Sequence, residues 1–407
     1  MIKKNILSTD IAICGGALSG LTAALVLQKL NLNILIIDPL TIGELVKKDK
    51  RTTAIAAGPK NLYLEEGVWK LVQDKSEPIN KIHIKDGSSK AEIDFDFSEV
   101  QDSFESDLVS SMGYVIENEY LLKGISHIIN KNNNNSSVKR IKASVVSIEL
   151  NQSYAEIELD NGKIVLASLV IGADGKNSSI RKMSGIEEKR TDYGQYAFVC
   201  QMYHNKSHQN IALEKFLPGG PLAILPMVSK LGYRSAVIWS DNKNVTMSRY
   251  QSSLKNPDEI AYEIERNVFD WLGNVNKVAL SSIYPLELVR AKSLVSKRFI
   301  LIGDAAHGIH PIAGQGFNLT IRSIKIFAKM CHRRSRVGLD IGSEKFLKEY
   351  ENVRKVDIEA LVKATHNLNQ LFRTTNPSIK LLRRLGLLAV QKSNYTKRAF
   401  MKYAMGI

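Results

Sequence analysis

The sequence has little of what marks a disulfide-rich, zinc-binding or membrane-spanning protein. Its three cysteines, Cys14, Cys200 and Cys331, lie far apart and include no C-x-x-C pair, so neither a disulfide framework nor a zinc site is indicated. A reducing compartment is therefore favoured. The apolar run at 11–27 is interrupted by glycine, serine and threonine and preceded by Asp10, which predicts a strand, a turn and a helix rather than a membrane span.

The composition is that of a globular protein with a strong positive charge. Hydrophobic residues make up 44% and charged residues 24% of the 407 positions, and the net charge is +15. This charge indicates anionic partners or a solvated lysine-rich surface. The sequence lacks zinc-finger, RRM and basic-zipper patterns, which argues against nucleic acid. The length suggests two or three domains.

The N-terminal residues predict a strand, a glycine turn, a helix and a second strand. The strand at 10–14 leads into a turn containing Gly15 and Gly20, and the apolar strand at 33–38 ends in Asp38. This is a dinucleotide-binding pattern, in which glycines admit a pyrophosphate and the carboxylate accepts from a ribose hydroxyl. Ala17 replaces the middle glycine and adds a methyl group there.

A second strand also runs into an aspartate turn. Three strands are predicted at 145–171, two of them joined by a hairpin at 160–162. The third strand ends in Gly-Ala-Asp-Gly around Asp174, and a helix starts near Ser178.

The residues at 303–318 carry a third glycine-rich turn. They follow an apolar strand at 298–302, begin with Gly303 and Asp304, and open a helix near Gly314. Such a helix start is suited to an anion, because its first N–H groups are unpaired and the helix dipole adds positive charge.

The remaining segments alternate between β-rich and helical patterns. The patterns predict helices at 54–69, 120–130, 257–272 and throughout the chain beyond 318, a hairpin at 79–96, a polar loop at 132–137 and a β-rich region at 196–239.

In order and spacing, the three turns resemble those of the FAD-dependent aromatic hydroxylases of the para-hydroxybenzoate hydroxylase type. Shorter motifs narrow the resemblance to the ubiquinone-biosynthesis hydroxylases. These motifs are Arg-Thr-Thr-Ala-Ile at 51–55, Gly-Tyr-Val-Ile-Glu-Asn at 113–118, Tyr-Pro-Leu at 284–286, Tyr-Glu-Asn-Val-Arg at 350–354, and the shorter matches at 364–365, 371–372, 384–387 and 404–406.

The resemblance implies an α/β fold with a Rossmann-like FAD-binding domain that is discontinuous in sequence. This domain would comprise residues 1–75, 105–182 and 285–330. A mixed β-sheet substrate domain would comprise residues 76–104 and 183–284, and residues 331–407 would form a helical C-terminal region.

The resemblance also implies the residues of the site. The cofactor-binding residues would be Gly15, Ala17, Leu18, Ser19, Gly20, Asp38, Arg51, Asp174, Gly303, Asp304, Pro311, Gly314, Gln315, Gly316, Phe317 and Asn318. Among these, Pro311 would lie where dioxygen adds, and the N–H groups of Gly314, Gln315 and Gly316 would stabilise reduced flavin, so these four are the expected catalytic residues.

Individual roles follow from the same resemblance. Asp38 would hold the adenosine ribose, Asp304 a ribityl hydroxyl, and Asn318 the pyrimidine edge of the ring. Arg51 would lie along the pyrophosphate or the flavin edge, and Asp174 near the pyrophosphate and ribityl chain.

The implied activity is hydroxylation of the aromatic ring of a polyprenyl phenol or benzoquinol in ubiquinone biosynthesis. It would use FAD, O2 and a flavin hydroperoxide, with NAD(P)H or a protein electron donor as the reductant. We expect a cytoplasmic protein, with the inner-membrane surface and other ubiquinone-biosynthesis proteins as partners.

Two other functions stay open at this point. One is an FAD-dependent reductase or dehydrogenase of a prenylated substrate. A flavin halogenase is disfavoured, because it would need a tryptophan-rich motif, whereas Trp69, Trp239 and Trp271 stand isolated. The other is a lipid-presenting subunit without catalytic activity.

His307 and His310 are expected to be structural, because no cysteine or carboxylate stands at metal-ligand spacing, and no metal is predicted. No general base is assigned. Four side chains of the β-rich region are candidates for substrate contacts but cannot be ranked: Tyr196, Tyr203, His204 and Tyr233.

The C-terminal residues suggest a membrane-binding helix. From 360 to 407 the chain has no acidic residue. On a helix at 380–392, Leu381, Leu382, Leu385, Leu388 and Ala389 share one face. We hypothesise that this face rests on an anionic membrane or a partner protein, the alternative being a terminal helix packed on its own domain.

Overall fold

The computed structural model describes residues 5–87, 89–104, 109–131, 138–310, 314–374 and 376–407. Pro311 and the polar loop predicted at 132–137 lie outside the described residues.

The strands alternate with helices in the first half of the chain, and helices follow one another at the end. The strands are β1 (Ile6–Cys14), β2 (Ile34–Asp38), β3 (Thr52–Ala56), β4 (Ser76–Ile79), β5 (Lys81–Asp86), β6 (Glu92–Asp96), β7 (Gly113–Glu117), β8 (Val138–Lys142), β9 (Val145–Leu150), β10 (Ala155–Leu159), β11 (Ile164–Gly172), β12 (Glu188–His204), β13 (Ile211–Leu217), β14 (Gly220–Met227), β15 (Tyr233–Asn242), β16 (Val275–Ala291), β17 (Val295–Ser296), β18 (Phe299–Leu301) and β19 (His307–Gly308). The helices are α1 (Leu18–Leu27), α2 (Ile42–Lys48), α3 (Ala57–Glu65), α4 (Trp69–Val72), α5 (Asn118–Lys131), α6 (Ser179–Met183), α7 (Lys243–Lys255), α8 (Pro257–Leu272), α9 (Gln315–Ser335), α10 (Glu344–Arg373), α11 (Pro377–Lys392) and α12 (Asn394–Met405).

The first sheet is built around the N-terminal β-α-β unit. Its order is β17-β18-β11-β1-β2-β8, and β10 and β9 extend it from β11. β1 lies parallel to β2 and β11, and β11 lies parallel to β18. The side chains at the end of β1, from Ile11 to Ile13, are fully buried, as expected of a strand covered on both faces. The turns after β1, β11 and β18 therefore meet at one edge of the sheet, where open α/β sheets bind ligands.

The second sheet is mostly antiparallel and has two different faces. Its order is β19-β16-β12-β15-β14-β13-β5-β6, with β13 parallel to β5. On one face, Phe198, Met202 and Val237 pack against Ile264 and Val268 of α8. The opposite face is turned toward the cavity described below.

A small third sheet, β3-β7-β4, corrects one prediction. The helix predicted at 54–69 is wrong at its start, because Ala54 pairs with Val115 and Ala56 pairs with Gly113 across β3 and β7. Pairing with a distant strand outweighs the local helical pattern, and α3 begins only at Ala57. The helix α7 was not predicted from the sequence.

The C-terminal helices return to the second sheet. Arg383 of α11 pairs with Asp86 at the end of β5, and Lys397 of α12 pairs with Glu99. Phe372 of α10 stacks on Phe216 of β13, with ring centroids 3.5 Å apart. These contacts make α10, α11 and α12 one wall of the cavity. In the described part of the chain, no helix is long and apolar enough to cross a bilayer.

Candidate functional site

A cavity of about 1470 Å³ connects the edge of the first sheet with the free face of the second sheet and with α10, α11 and α12. Ordinary small-molecule pockets are roughly 300–1,000 Å³. The cavity therefore has room for more than one small ligand.

The turn after β1 brings backbone close to backbone. Gly15 has a φ of +109°, and a Cβ atom there would lie 2.4 Å from the carbonyl oxygen of Ala173. A Cβ atom on Gly20 would lie 1.8 Å from the carbonyl oxygen of Gly15. α1 starts after Ala17, and no side chain in the described part of the chain caps its first N–H groups. Because Ala17, Leu18 and Ser19 line the cavity, these N–H groups are positioned for an anion there.

Asp38 holds the same turn in place. Its carboxylate accepts hydrogen bonds from the N–H of Gly16 at 2.6 Å and the N–H of Leu40 at 2.7 Å. Arg140 of β8 lies 3.6 Å from the carboxylate and donates to the carbonyl oxygens of Gly16 and Leu40. An ionised carboxylate can accept further hydrogen bonds, so Asp38 keeps capacity for a ribose hydroxyl. Arg140 was not predicted, because it belongs to none of the sequence motifs.

The third turn supplies a second helix start without a side-chain cap. Gly314 adopts a left-handed conformation with a φ of +60° and precedes α9, and among the described residues no side chain caps the first N–H groups of this helix. Gly303 has a φ of +65°, and a Cβ atom there would lie 2.6 Å from the Ser19 hydroxyl. The first and third turns are thus in contact, and both helix starts border one cavity.

Asn318 ties β3 to this helix start. Its amide oxygen accepts from the N–H of Ala56 at 2.9 Å, and its amide nitrogen donates to the carbonyl oxygens of Ala54 and Gly314, both at 3.0 Å. The buried amide is thus occupied by the backbone on both sides, which fixes the distance between β3 and Gly314.

Asp174 caps α6 at the edge of the cavity. Its carboxylate accepts from the Ser178 hydroxyl and from the N–H of Ile180 at 3.1 Å. Ser178 in turn caps the helix by accepting from the N–H of Arg181 at 2.8 Å. In contrast to the starts of α1 and α9, the start of α6 therefore has side-chain acceptors for the N–H groups of Ile180 and Arg181.

Arg51 is oriented by an acidic neighbour that the sequence did not suggest. Its guanidinium donates to both carboxylate oxygens of Asp49, at 2.8 and 2.7 Å, and Asp49 also accepts from Asn118 at 3.0 Å. Asp304 faces the cavity, where desolvation raises its pKa above the usual value although the charges of Arg51 and Lys176 oppose that rise. The positive charge of Arg51 and the carboxyl group of Asp304 therefore both border the cavity.

The structure brings most of the predicted cofactor-binding residues to this cavity. Gly20 and Gly303 do not line it but allow the close packing of its wall, and Pro311 lies outside the described residues. The residues that line it are Gly15, Ala17, Leu18, Ser19, Asp38, Arg51, Asp174, Asp304, Gly314, Gln315, Gly316, Phe317 and Asn318.

The other end of the cavity is apolar and was not located from the sequence. Its floor is the free face of the second sheet, and α11 contributes Ile379, Leu387 and Val390. Glu214 of β13 stands on this floor, and burial raises its pKa to about 7. The candidates Tyr196, Tyr203, His204 and Tyr233 do not line the cavity. Only the alternation of Ala212, Glu214 and Phe216 along one strand could have indicated Glu214.

The two histidines of the third turn are uncharged at neutral pH. Burial lowers the pKa of His307 and of His310 to about 4 in each case. His310 lines the cavity and packs edge-on against Tyr193. Across the described ranges, no group of three or more His, Cys, Asp or Glu side chains is arranged to hold a metal ion.

The arrangement fits a large anionic cofactor. Two uncapped helix starts suit two separate negative groups, such as a pyrophosphate and a reduced flavin ring, and Asp38 suits a ribose. The absence of Cβ atoms at Gly15 and Gly314 lets the two turns pack closely against Ala173 and Ala54. The adjoining apolar end can take a hydrophobic substrate and exclude water from it.

Known proteins share both the sequence pattern and the fold. Residues 8–365 match the family described as FAD binding domain. The chain is 34% identical over 400 residues to ubiquinone hydroxylase UbiL of Rhodospirillum rubrum, covering 98% of this chain and 89% of that protein. It is 28% identical over 410 residues to 3-demethoxyubiquinol 3-hydroxylase of Escherichia coli, covering 98% and 99%.

A solved structure with the same fold is p-nitrophenol 4-monooxygenase PnpA of Pseudomonas putida. It has a TM-score of 0.80 and 15% sequence identity, and the match covers 98% of both chains. The predicted fold class and the predicted FAD are confirmed by these matches.

Proposed function

This chain belongs to the FAD-dependent hydroxylases of ubiquinone biosynthesis, and we propose that its cavity holds FAD at one end and a prenylated phenol at the other. The observation that carries the proposal is the continuity of the cavity. Two uncapped helix starts, at α1 and α9, open into the same space as the apolar face of the second sheet.

When bound, FAD would supply the redox chemistry, which is electron uptake from NAD(P)H or a protein donor and activation of dioxygen for transfer of one oxygen atom to the ring. The residues of this chain bind, orient and shield. The N–H groups at the start of α1 would hold the pyrophosphate, and those of Gly314, Gln315 and Gly316 would stabilise negative charge on the ring. Asn318 would keep β3 beside Gly314, and the pairing with Asp49 would keep Arg51 in one orientation.

The predicted domain boundaries become part of this proposal. We assign residues 1–75, 105–182 and 285–330 to the FAD-binding domain, residues 76–104 and 183–284 to the substrate domain, and residues 331–407 to the helical region. Two of the hydrophobic clusters support the division between the FAD-binding domain and the substrate domain. One surrounds the first sheet, and the other lies between the second sheet and α8.

We also propose that α11 rests on an anionic membrane. Leu381, Leu385 and Leu388 are exposed on its outer side, whereas its inner side lines the cavity through residues such as Leu387 and Val390. The chain carries no acidic residue from 360 to 407, so all charged side chains of α11 are basic. A helix with an apolar stripe and a basic border binds anionic lipid surfaces. A prenyl tail could then pass from the bilayer into the cavity beside α11.

Vesicle flotation tests this contact. The variant with Leu381→Gln, Leu385→Gln and Leu388→Gln keeps Arg383, so the inner contacts of α11 are retained. We expect the unchanged protein, but not this variant, to float with vesicles of phosphatidylcholine and phosphatidylglycerol. The control variant replaces two exposed leucines outside α11, Leu231→Gln and Leu339→Gln, and should float like the unchanged protein. Equal flotation of all three proteins contradicts the membrane contact.

The reaction is tested by supplying the gene to cells that lack each ubiquinone hydroxylase in turn and identifying the quinone precursors by mass spectrometry. We expect one strain to regain ubiquinone, and growth under ¹⁸O2 to place one labelled oxygen on the product ring. An oxygen-independent product would indicate a reductase. A purified protein without the yellow flavin absorbance would indicate a lipid-presenting subunit and contradict the proposal.

A further inference from the structure

Glu214 occupies the centre of an apolar row of side chains. The pairing of the strands places Glu214 beside Ile84 of β5 and Ala223 of β14, and Ile84 pairs with Ile93 of β6. Ala223 pairs with Ile238 of β15. All five of these residues line the cavity. Glu214 is therefore one carboxyl group in a row of aliphatic side chains that faces the space proposed for the substrate.

The row beside it, toward the third sheet, is wholly apolar. Phe95 of β6 pairs with Ile82 of β5, which pairs with Ala212 of β13. All three line the cavity, as does Leu225 of β14. Among the described residues of β5, β6, β13, β14 and β15, Glu214 is the one ionisable side chain that lines the cavity.

No described residue gives Glu214 a hydrogen bond or an ion pair, and its raised pKa has burial as its cause. Its neighbour Lys215 points to the opposite side of the strand, where its ammonium lies 3.2 Å from the carbonyl oxygen of Asn267. An unpaired carboxyl group in an apolar wall costs folding free energy, so a compensating role in ligand binding is a physical reason for its presence.

Most of the other ionisable groups that line the cavity in the described part of the chain have partners or lie at its other end. Arg383 of α11 faces the cavity but is paired with Asp86, and Tyr403 of α12 also lines it but is 49% exposed. His310 follows β19, Arg51 is paired with Asp49, and Asp38, Asp174 and Asp304 belong to the three turns. Glu214 is thus left to interact with a substrate at the apolar end.

We infer that Glu214 positions the aromatic ring of the substrate by accepting a hydrogen bond from a ring hydroxyl group. This inference rests on the proposed function. A hydrogen bond to a carboxylate is stronger than one between neutral groups, and a ring held at one hydroxyl presents a defined carbon to the flavin side of the cavity. Glu214 would therefore select phenols over prenylated rings that lack a free hydroxyl.

The test uses the flavin-loaded full chain and two probes that differ in one methyl group, 2-geranylphenol and its methyl ether. Binding is followed by the change in flavin absorbance. We expect the unchanged protein to bind the phenol about 10–100-fold more tightly than the ether, in line with a hydrogen bond to a charged group. In Glu214→Leu this ratio should fall to near one while the affinity for the ether is kept. Glu214→Gln, which keeps an acceptor oxygen, should give an intermediate ratio.

A pH titration separates positioning from a purely structural role. Because the pKa of Glu214 is raised to about 7, the preference for the phenol should increase as pH rises through 7 in the unchanged protein. The preference should not change with pH in Glu214→Leu. The exposed control Glu149→Gln should match the unchanged protein in both experiments.

The outcomes distinguish this inference from the proposed function. An unchanged ratio in Glu214→Leu, with flavin content kept, overturns the role of Glu214 and leaves the proposed function intact. A yellow protein that binds neither probe overturns the prenylated-phenol substrate class, and the inference with it. A colourless protein overturns the proposed function itself.

Discussion

The cavity has a cofactor end, formed by the three turns and proposed to hold FAD, and a substrate end, formed by the second sheet and α11 and proposed to hold the phenol. The two ends are built from different parts of the chain. At the cofactor end, closely packed backbone forms the wall. Added Cβ atoms at Gly15 and Gly20 would lie only 2.4 and 1.8 Å from backbone oxygens. At the substrate end, side chains from paired strands and from α11 form the wall. A backbone site depends on glycines at fixed spacing and tolerates almost no added atom. A side-chain site depends on strand register and can change its lining without changing the fold.

The largest effect on flavin binding and stability is expected for Gly20→Val, at the cofactor end. The new side chain would collide with the carbonyl of Gly15, so the start of α1 would have to move away from β1. We expect loss of the yellow flavin absorbance and a free energy of unfolding lower by about 3 kcal/mol or more. The matched control is Gly43→Ala, at a glycine with no neighbouring atom within 4 Å of an added Cβ. It should stay within about 0.5 kcal/mol of the unchanged protein, and flavin retention by Gly20→Val would contradict the prediction.

At the substrate end, two arginines that bind the same carboxylate should differ in importance. Arg383 and Arg384 both pair with Asp86, but their side chains are 5% and 46% exposed. We expect Arg383→Met to lower the free energy of unfolding by about 3–5 kcal/mol, because Asp86 would lose its buried partner. Arg384→Met should cost less than about 1 kcal/mol. Urea unfolding followed by tryptophan fluorescence measures both, and flavin absorbance should persist in each. Equal losses of stability would mean that burial does not decide the strength of this pairing.

The same contrast explains what could be predicted from the sequence. The β-α-β unit, the hairpins and the turns at Asp38, Asp174 and Asp304 were predictable, because each is a local pattern with its own spacing. Arg140, Asp49 and Glu214 were not, because Glu214 reaches the cavity through strand pairing, and Arg140 and Asp49 act through contacts with Asp38 and Asn118, which lie far from them in the sequence. The start of β3 was mispredicted for the same reason, as its pairing with β7 overrides a helical pattern. Motifs therefore locate the cofactor, whereas the substrate wall requires the register of the second sheet.

A smaller effect is expected where the backbone wall depends on a side chain. Asn318→Ala would leave the N–H of Ala56 without its acceptor and free β3 from Gly314. We expect a cost of about 1–3 kcal/mol and a faster release of flavin, because the start of α9 would lose its fixed distance from β3. Stopped-flow fluorescence of the released flavin measures this rate. An unchanged rate would show that the amide does not support the cofactor end.

The smallest effect has the opposite sign and depends on pH. Burial raises the pKa of Glu214 from 4.5 to about 7, so the unfolded chain ionises at lower pH than the folded chain does. The native state therefore loses stability from this group as pH rises from 4.5 to 7, and the loss is complete above 7. Each unit of pKa difference corresponds to about 1.4 kcal/mol, and access of solvent to the cavity reduces the effect.

We expect Glu214→Gln to be more stable than the unchanged protein by about 1–2 kcal/mol above pH 7, and equally stable near pH 4.5. Urea unfolding at the two pH values measures this, with Glu149→Gln as the exposed control. A gain of the same size at both pH values would contradict this prediction, because it would show that the stability difference does not come from ionisation of Glu214.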